Sequence, residues 1–232
     1  MKHTLNLPDA PPSSRRAALY ALGALGTLGL VGTALLAPAQ AAAQAAQTAV
    51  EAPDTLIMRV GSEVIRQIQA DPVLRGGDID RIMTLIDGKL MPHVNFGRMT
   101  ASAVGRFWRQ ATPEQRTRLQ EEFKLLLVRT YSGALSRLTD QVLVLRPSRF
   151  TPQDTEVVVR TELRGRSEPI QIDYRLERTA QGWKVFDINV MGIWLVDTFR
   201  NQFTTEINAR GLDGLIAALA ERNRAGAAAA RS

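Results

Sequence analysis

Asp173, Tyr174 and Asp187 are the side chains whose types and settings could move a proton. Asp187 sits in the apolar run Trp183 to Met191, at the same strand parity as Trp183 and Val185. An acid there is either buried with a raised pKa or paired with an arginine such as Arg175. Asp173 falls on the polar side of its strand, where solvation is the expected fate. The chain has two histidines, His3 and His93, and no cysteine. A thiol nucleophile, a disulfide framework and a lipid-modified cysteine are thereby excluded. HExxH, GxSxG, P-loop and dinucleotide fingerprints are missing. The reading is of a protein that is not an enzyme, with no catalytic residues and no metal site. A small enzyme would have to rest on the three residues named first.

The positive signal is apolar surplus, and the elements explain where it goes. The 29 residues from Trp183 to Gly211 read as a strand apolar on both faces, a corner at Val190-Met191-Gly192-Ile193-Trp194, and an amphipathic helix carrying Val196, Phe199, Phe203 and Ile207. Upstream, Leu56, Val60, Val64 and Ile68 recur every fourth residue, giving a helix from residue 53 or 54 to 69. Asp71-Pro72 stops it. Asp78 is placed to cap a short helix bearing Ile79, Ile82, Leu85 and Ile86. A third helix spans 96–108. Thr112-Pro113-Glu114-Gln115 spells a capping box opening the longest helix, to about Leu138. After Asp140 the period falls to two: strands at 141–145, 155–164, 169–177 and 183–191, joined by short turns, give an antiparallel meander. The fold class expected is α+β, with helices packed against one face of a curved antiparallel meander. Aromatics and methionines recur on the inner faces. They are compatible either with filled core or with an enclosed apolar cavity.

The N-terminus stands apart from the fold. Ser14-Arg15-Arg16, the apolar run 17–37 and a series of small residues form a secretory signal, 1–43, with twin-arginine character. Its four glycines and Ala-rich exit favour cleavage over a retained anchor. Residues 44–53 read as a flexible lead-in, 54–222 as one domain, and 223–232 as a disordered tail. The whole chain carries a net charge of +6. Removing 1–43 takes away Lys2, Arg15, Arg16 and Asp9, leaving about +4. The basic residues are interspersed with acidic ones, which gives nucleic-acid binding no support. An exported chain with no lipid anchor is expected in the bacterial periplasm.

Two stretches bring a known family to mind. One holds Phe96-Gly97-Arg98-Met99-Thr100, the run Val104 to Gln115 and Leu126 to Tyr131. The other holds Ile172 to Arg175, Trp183 to Ile188, and Gly192 through Phe203 to Ile216. Together they resemble the MlaC or toluene-tolerance family, soluble periplasmic phospholipid carriers of the maintenance-of-lipid-asymmetry pathway. The resemblance implies a monomeric, non-enzymatic shuttle on a fold loosely like those of cystatin and nuclear transport factor 2. It implies no cofactor, only a phospholipid cargo with its tails in an internal apolar pocket. Exchange partners would be an inner-membrane Mla ABC transporter complex and an outer-membrane lipoprotein–porin complex. Lipid-binding residues expected on this basis are Phe96, Met99, Phe107, Phe123, Leu127, Tyr131, Ile172, Tyr174, Val190, Ile193, Trp194, Val196, Phe199 and Phe203. Trp194 stands where relatives carry a small hydroxyl residue. It would either partly occlude the pocket or lie outside as a membrane- or partner-facing anchor. The competing class is a ligand-free periplasmic adaptor domain, which requires a filled interior.

Overall fold

The structure is a computed structural model that describes residues 51–229. The expected export signal and most of the expected lead-in lie outside the described residues, as do residues 230–232.

Helix α1 spans Pro53–Ala70, with Pro53 at its first position. All four stripe residues, Leu56, Val60, Val64 and Ile68, are buried. Asp71 leaves helical geometry, and its carboxylate accepts the Val73 N–H to start the short α2, Pro72–Arg75. Asp78 does the same for α3, Ile79–Leu85, accepting from Arg81 N–H at 2.8 Å. The chain then widens into one π-helical turn, Ile86–Leu90, and tightens into a 3-10 turn, Met91–His93. Val94 forms a parallel bridge to Val185. Asn95 caps α4, Phe96–Val104, through the Arg98 N–H. The sequence pattern carries this helix to 108. Gly105, at φ +67°, breaks it, and Gly105–Gln110 is a 3-10 segment. Helix α5, Pro113–Leu135, opens on the capping box: Gln115 N–H donates to Thr112 Oγ1 while Thr112 N–H donates to Gln115 Oε1.

Strands β1 (Val142–Leu145), β2 (Glu156–Arg164), β3 (Ile170–Thr179), β4 (Gly182–Val190) and β5 (Ile193–Trp194) form one antiparallel sheet in sequence order. β5 is short because the turn before it is tight. Met191 and Gly192 both have positive φ, +52° and +88°, between the paired residues Val190 and Ile193. That is the two-residue hairpin geometry that matches strand twist, and glycine suits its second position. A Cβ on Gly192 would meet nothing within 4 Å. Its role is therefore conformational, not close approach to a neighbour.

Helix α6 runs Leu195–Ala229 with a break at Gly211, φ +71°. The sequence reading separates helices there and sees a disordered tail from residue 223. The chain stays helical through 229 instead, because Asn223 is buried and donates to both the Glu122 carbonyl and its carboxylate on α5.

Two cores result. Helices α1 and α3, the end of α5 and the inner sheet face (Val157, Val159, Leu163, Leu176, Trp183, Val185) form the first. Helices α4, α5 and α6 form the second around Phe96, Phe123, Phe199 and Phe203. The second core meets the sheet at β4 and reaches its outer side. Arg98 of α4 binds Glu156 and Glu177 at 2.6 and 2.5 Å and stacks on Phe186 at 3.6 Å. The helices are thus not confined to one face. This answers why β4 is apolar on both sides: Trp183 and Val185 serve the first core, and Phe186 the side facing Arg98.

Candidate functional site

The first core is not completely filled. Leu56, Ile57, Val60, Gly61, Val64 and Ile65 of α1 face Leu143, Leu163, Ile172, Tyr174, Val185 and Ile188 of the sheet across a cavity of about 180 Å³. Leu90, His93, Val94, Leu135 and Leu138 complete its lining. No carboxylate, lysine or arginine lines it. An apolar cavity of roughly 150 Å³ stays dry and holds a benzene-sized molecule. A drug-sized ligand takes roughly 300–1,000 Å³. The gap as it stands is smaller than that range. Gly61 marks the closest approach: a Cβ there would stand 2.7 Å from Leu143 Cδ2.

Tyr174 brings the one hydroxyl to this wall. It is half-buried and lines the cavity. Desolvation accordingly pushes its hydroxyl up to about 12.

Of the residues expected to bind lipid, the structure brings Ile172 and Tyr174 to the cavity. Phe96, Met99, Phe123, Val196, Phe199 and Phe203 are buried together in the second core, with Phe107 and Leu127 packed against them. There Phe123 meets Phe199 and Phe203 edge-on at 4.9 and 5.1 Å. Tyr131 is half-buried outside the cavity lining, and Val190 is half-buried beside the β4–β5 turn. Ile193 is exposed. Trp194 does not occlude the cavity. It pairs with Asn189 on the opposite sheet face, half-buried beneath the Arg175 guanidinium at 3.8 Å.

The two sequence readings of Asp187 are both realised. Its side chain is 1% exposed, and its Oδ2 lies 3.0 Å from Arg175 Nη1. Its Oδ1 accepts the N–H groups of Ile188 and Val196 at 2.9 and 3.1 Å. Burial pushes the carboxyl above its usual range, while these donors and Arg175 pull it back. Val196 is the second residue of α6, so Asp187 acts as a remote cap, the negative group favoured at a helix N-terminus. Sequence reasoning also missed the structural role of Arg98.

His93 is also among the residues that line the cavity. Desolvation first, then Arg59 and Lys184, lower its pKa, with Glu51 opposing. A histidine depressed in the fold contributes stability that is present above its unfolded value, about 6.5, and lost as pH falls through the folded value. Wild-type protein should therefore lose urea resistance between pH 7.5 and 5 partly through this residue. His93→Gln should show a shallower loss, read from unfolding midpoints at the two pH values. An identical pH slope in the variant would refute the assignment.

Among the described residues no group of three or more His, Asp or Glu could hold a metal ion, and no helix is long and apolar enough to cross a membrane. A helix-roofed antiparallel meander with a predominantly apolar gap beneath one helix has the build of a domain that binds an apolar ligand. The chain belongs to the MlaC protein family, whose model matches residues 58–221. It is similar to the phospholipid-binding protein from Ralstonia solanacearum, solved in complex with a phospholipid: 43% identity, TM-score 0.73, covering 75% of this chain and 98% of that one. It is 25% identical over 167 residues to the toluene tolerance protein Ttg2D of Pseudomonas putida, covering 71% of this chain and 77% of that protein. It is 23% identical over 173 residues to the intermembrane phospholipid transport system binding protein MlaC of Haemophilus influenzae, covering 72% and 80%.

Proposed function

We propose that this protein is a non-enzymatic phospholipid carrier of the bacterial periplasm, exported by its N-terminal signal and acting as a monomer. It holds acyl chain between α1 and the inner sheet face, and exchanges lipid with an inner-membrane ABC transporter complex and an outer-membrane lipoprotein–porin complex. The observation that carries this reading is the apolar cavity beneath α1, in a chain 43% identical to a protein solved with a phospholipid.

Energetics fit a carrier better than a reservoir. Transfer from water stabilises a buried chain by about 0.8 kcal/mol per methylene. Tails drawn from a bilayer are already dry, so entry into an apolar pocket is close to neutral. The partner complexes can then set direction. The cavity is small as it stands, so cargo is admitted by displacement of α1, and adaptable aliphatic walls allow that. The adaptor reading needs a filled interior, which this cavity is not.

The test is mass spectrometry of an organic extract of protein purified from cells without detergent. Phospholipid at near-stoichiometric amount is expected, and delipidated protein should reload from vesicles. Failure of both would end the carrier reading.

A further inference from the structure

The apolar cavity has a polar recess beside it, with lining residues in common. Val60 and His93 line both. Beyond them the recess, about 470 Å³, is lined by Arg59, Glu63, Arg66, Gly88, Lys89 and Pro92. Two elements build it. On α1, Arg59, Glu63 and Arg66 stand four and then three residues apart, on one face. Lys89 comes from the π-helical turn Ile86–Leu90, a local widening that recurs at functional sites. Gly88 in the same turn leaves room, since a Cβ there would meet nothing within 4 Å.

The charges in the recess are only partly satisfied. Glu51 holds Arg59 with two bonds, at 2.8 and 2.7 Å. Glu63 takes Arg66 at 2.5 Å and Gln67 at 2.6 Å. Lys89 Nζ stays 4.0 Å from Glu63, beyond hydrogen-bond reach. Three cations thus face two carboxylates. Lys184, bound to the Pro92 carbonyl at 2.5 Å, adds to the positive field that acts on His93. An amphiphile whose tails occupy the cavity and whose backbone passes between Val60 and His93 would set its head in this field.

Resting on the carrier reading, we propose that the recess receives the phosphate of the cargo's head group, through Lys89 and Arg59 with Arg66 behind them. Exposed ion pairs are each worth only ~0.2–1 kcal/mol. The recess therefore discriminates and orients, while tail burial retains the lipid. It favours a phosphodiester over an uncharged head on the same tails.

The test offers delipidated full-length protein two kinds of vesicle-borne lipid with identical tails, a phospholipid and a diacylglycerol. Wild-type protein should take up the phospholipid preferentially. The double variant Arg59→Gln/Lys89→Gln should reduce that preference about five- to tenfold. Both side chains are about half exposed, so the thermal unfolding midpoint should hold. High salt should weaken the wild-type preference in the same direction. A wild-type protein without preference, or a double variant that keeps it, would overturn the head-group recess and leave the carrier reading standing. Uptake of neither lipid would overturn the carrier reading itself. Inorganic phosphate is the remaining arm. Saturable binding by delipidated wild-type protein, lost in the double variant while lipid preference is unchanged, would make this a free-anion site and refute the proposal.

Discussion

Asp187→Ala is expected to lower the unfolding free energy by about 3 kcal/mol, near the low end of the ~3–5 kcal/mol cost of breaking a buried ion pair. The low end applies because the Arg175 side chain is 37% exposed and can be rehydrated. The larger share of the loss lies elsewhere. Removing the carboxylate leaves the Ile188 and Val196 N–H groups without their acceptor, and a buried donor left unpaired costs about 1–3 kcal/mol. Asp187→Asn separates the two contributions. Its amide oxygen can still receive both N–H groups, while the charge that faces Arg175 is gone. It should lose less than half as much. A cycle with Arg175→Met should give a coupling within the ~0.5–3 kcal/mol seen for contacting residues. Urea unfolding of wild type, the two Asp187 variants, Arg175→Met and the double variant measures all of this. A loss under about 1 kcal/mol for Asp187→Ala would show that β4 and α6 are joined by other means. Lipid uptake that survives in Asp187→Asn would place this acid in the frame of the molecule and weigh against an enzyme built on Asp173, Tyr174 and Asp187.

The two readings of Asp187 show what the sequence can express. A lone acid in a run with Trp183, Val185, Phe186 and Ile188 must be either paired or neutral, and that follows from local pattern. Its service to the Val196 N–H nine residues on depends on the Met191-Gly192 turn folding β5 back on β4. Element boundaries were legible for the same local reason: Pro53, Asp78, Asn95 and the Thr112–Gln115 box each act within one helical turn. Gly105 marks a break where helical apolar periodicity runs on regardless, whereas the break at Gly211 is legible as a helix-ending glycine.

The cavity wall was harder to read. Both cores use the same apolar residue types, and the sequence pattern says which faces are buried, not which buried face is left with a gap. The aromatic and methionine residues stand out because they are large, yet large rings fill space, and Phe96, Phe123, Phe199 and Phe203 are buried against one another in the second core. The unfilled interface is lined by aliphatic residues from elements far apart in sequence, α1 against β1–β4. One cue was present. Ile57, Gly61 and Ile65 continue the four-residue spacing of α1 beside its main stripe, and a glycine inside a helix at a buried position signals close approach of another element. That element is Leu143.

If the unfilled interface is the cargo site, filling it should abolish uptake without unfolding the protein. Val64→Trp directs an indole from the middle of α1 into the 180 Å³ cavity. Lipid recovered from cells and lipid taken up from vesicles should fall at least about tenfold, because an indole in the gap takes the space a tail would enter, and an excluded tail stays in the bilayer, where it is already dry. Stability should change by no more than about 1 kcal/mol, since the added atoms enter existing space instead of displacing a packed neighbour. Phe123→Ala is the counterpart. Phe123 is 1% exposed and contacts three other rings. Its truncation should cost about 3–5 kcal/mol, yet the fraction that remains folded should load lipid normally. The two variants thus oppose one another: one keeps the fold and loses the cargo, the other weakens the fold and keeps the cargo. The reverse outcome, with uptake intact in Val64→Trp and lost in folded Phe123→Ala, would move the cargo into the aromatic core between α4, α5 and α6. Uptake intact in both would mean that tails lie against a surface outside either core.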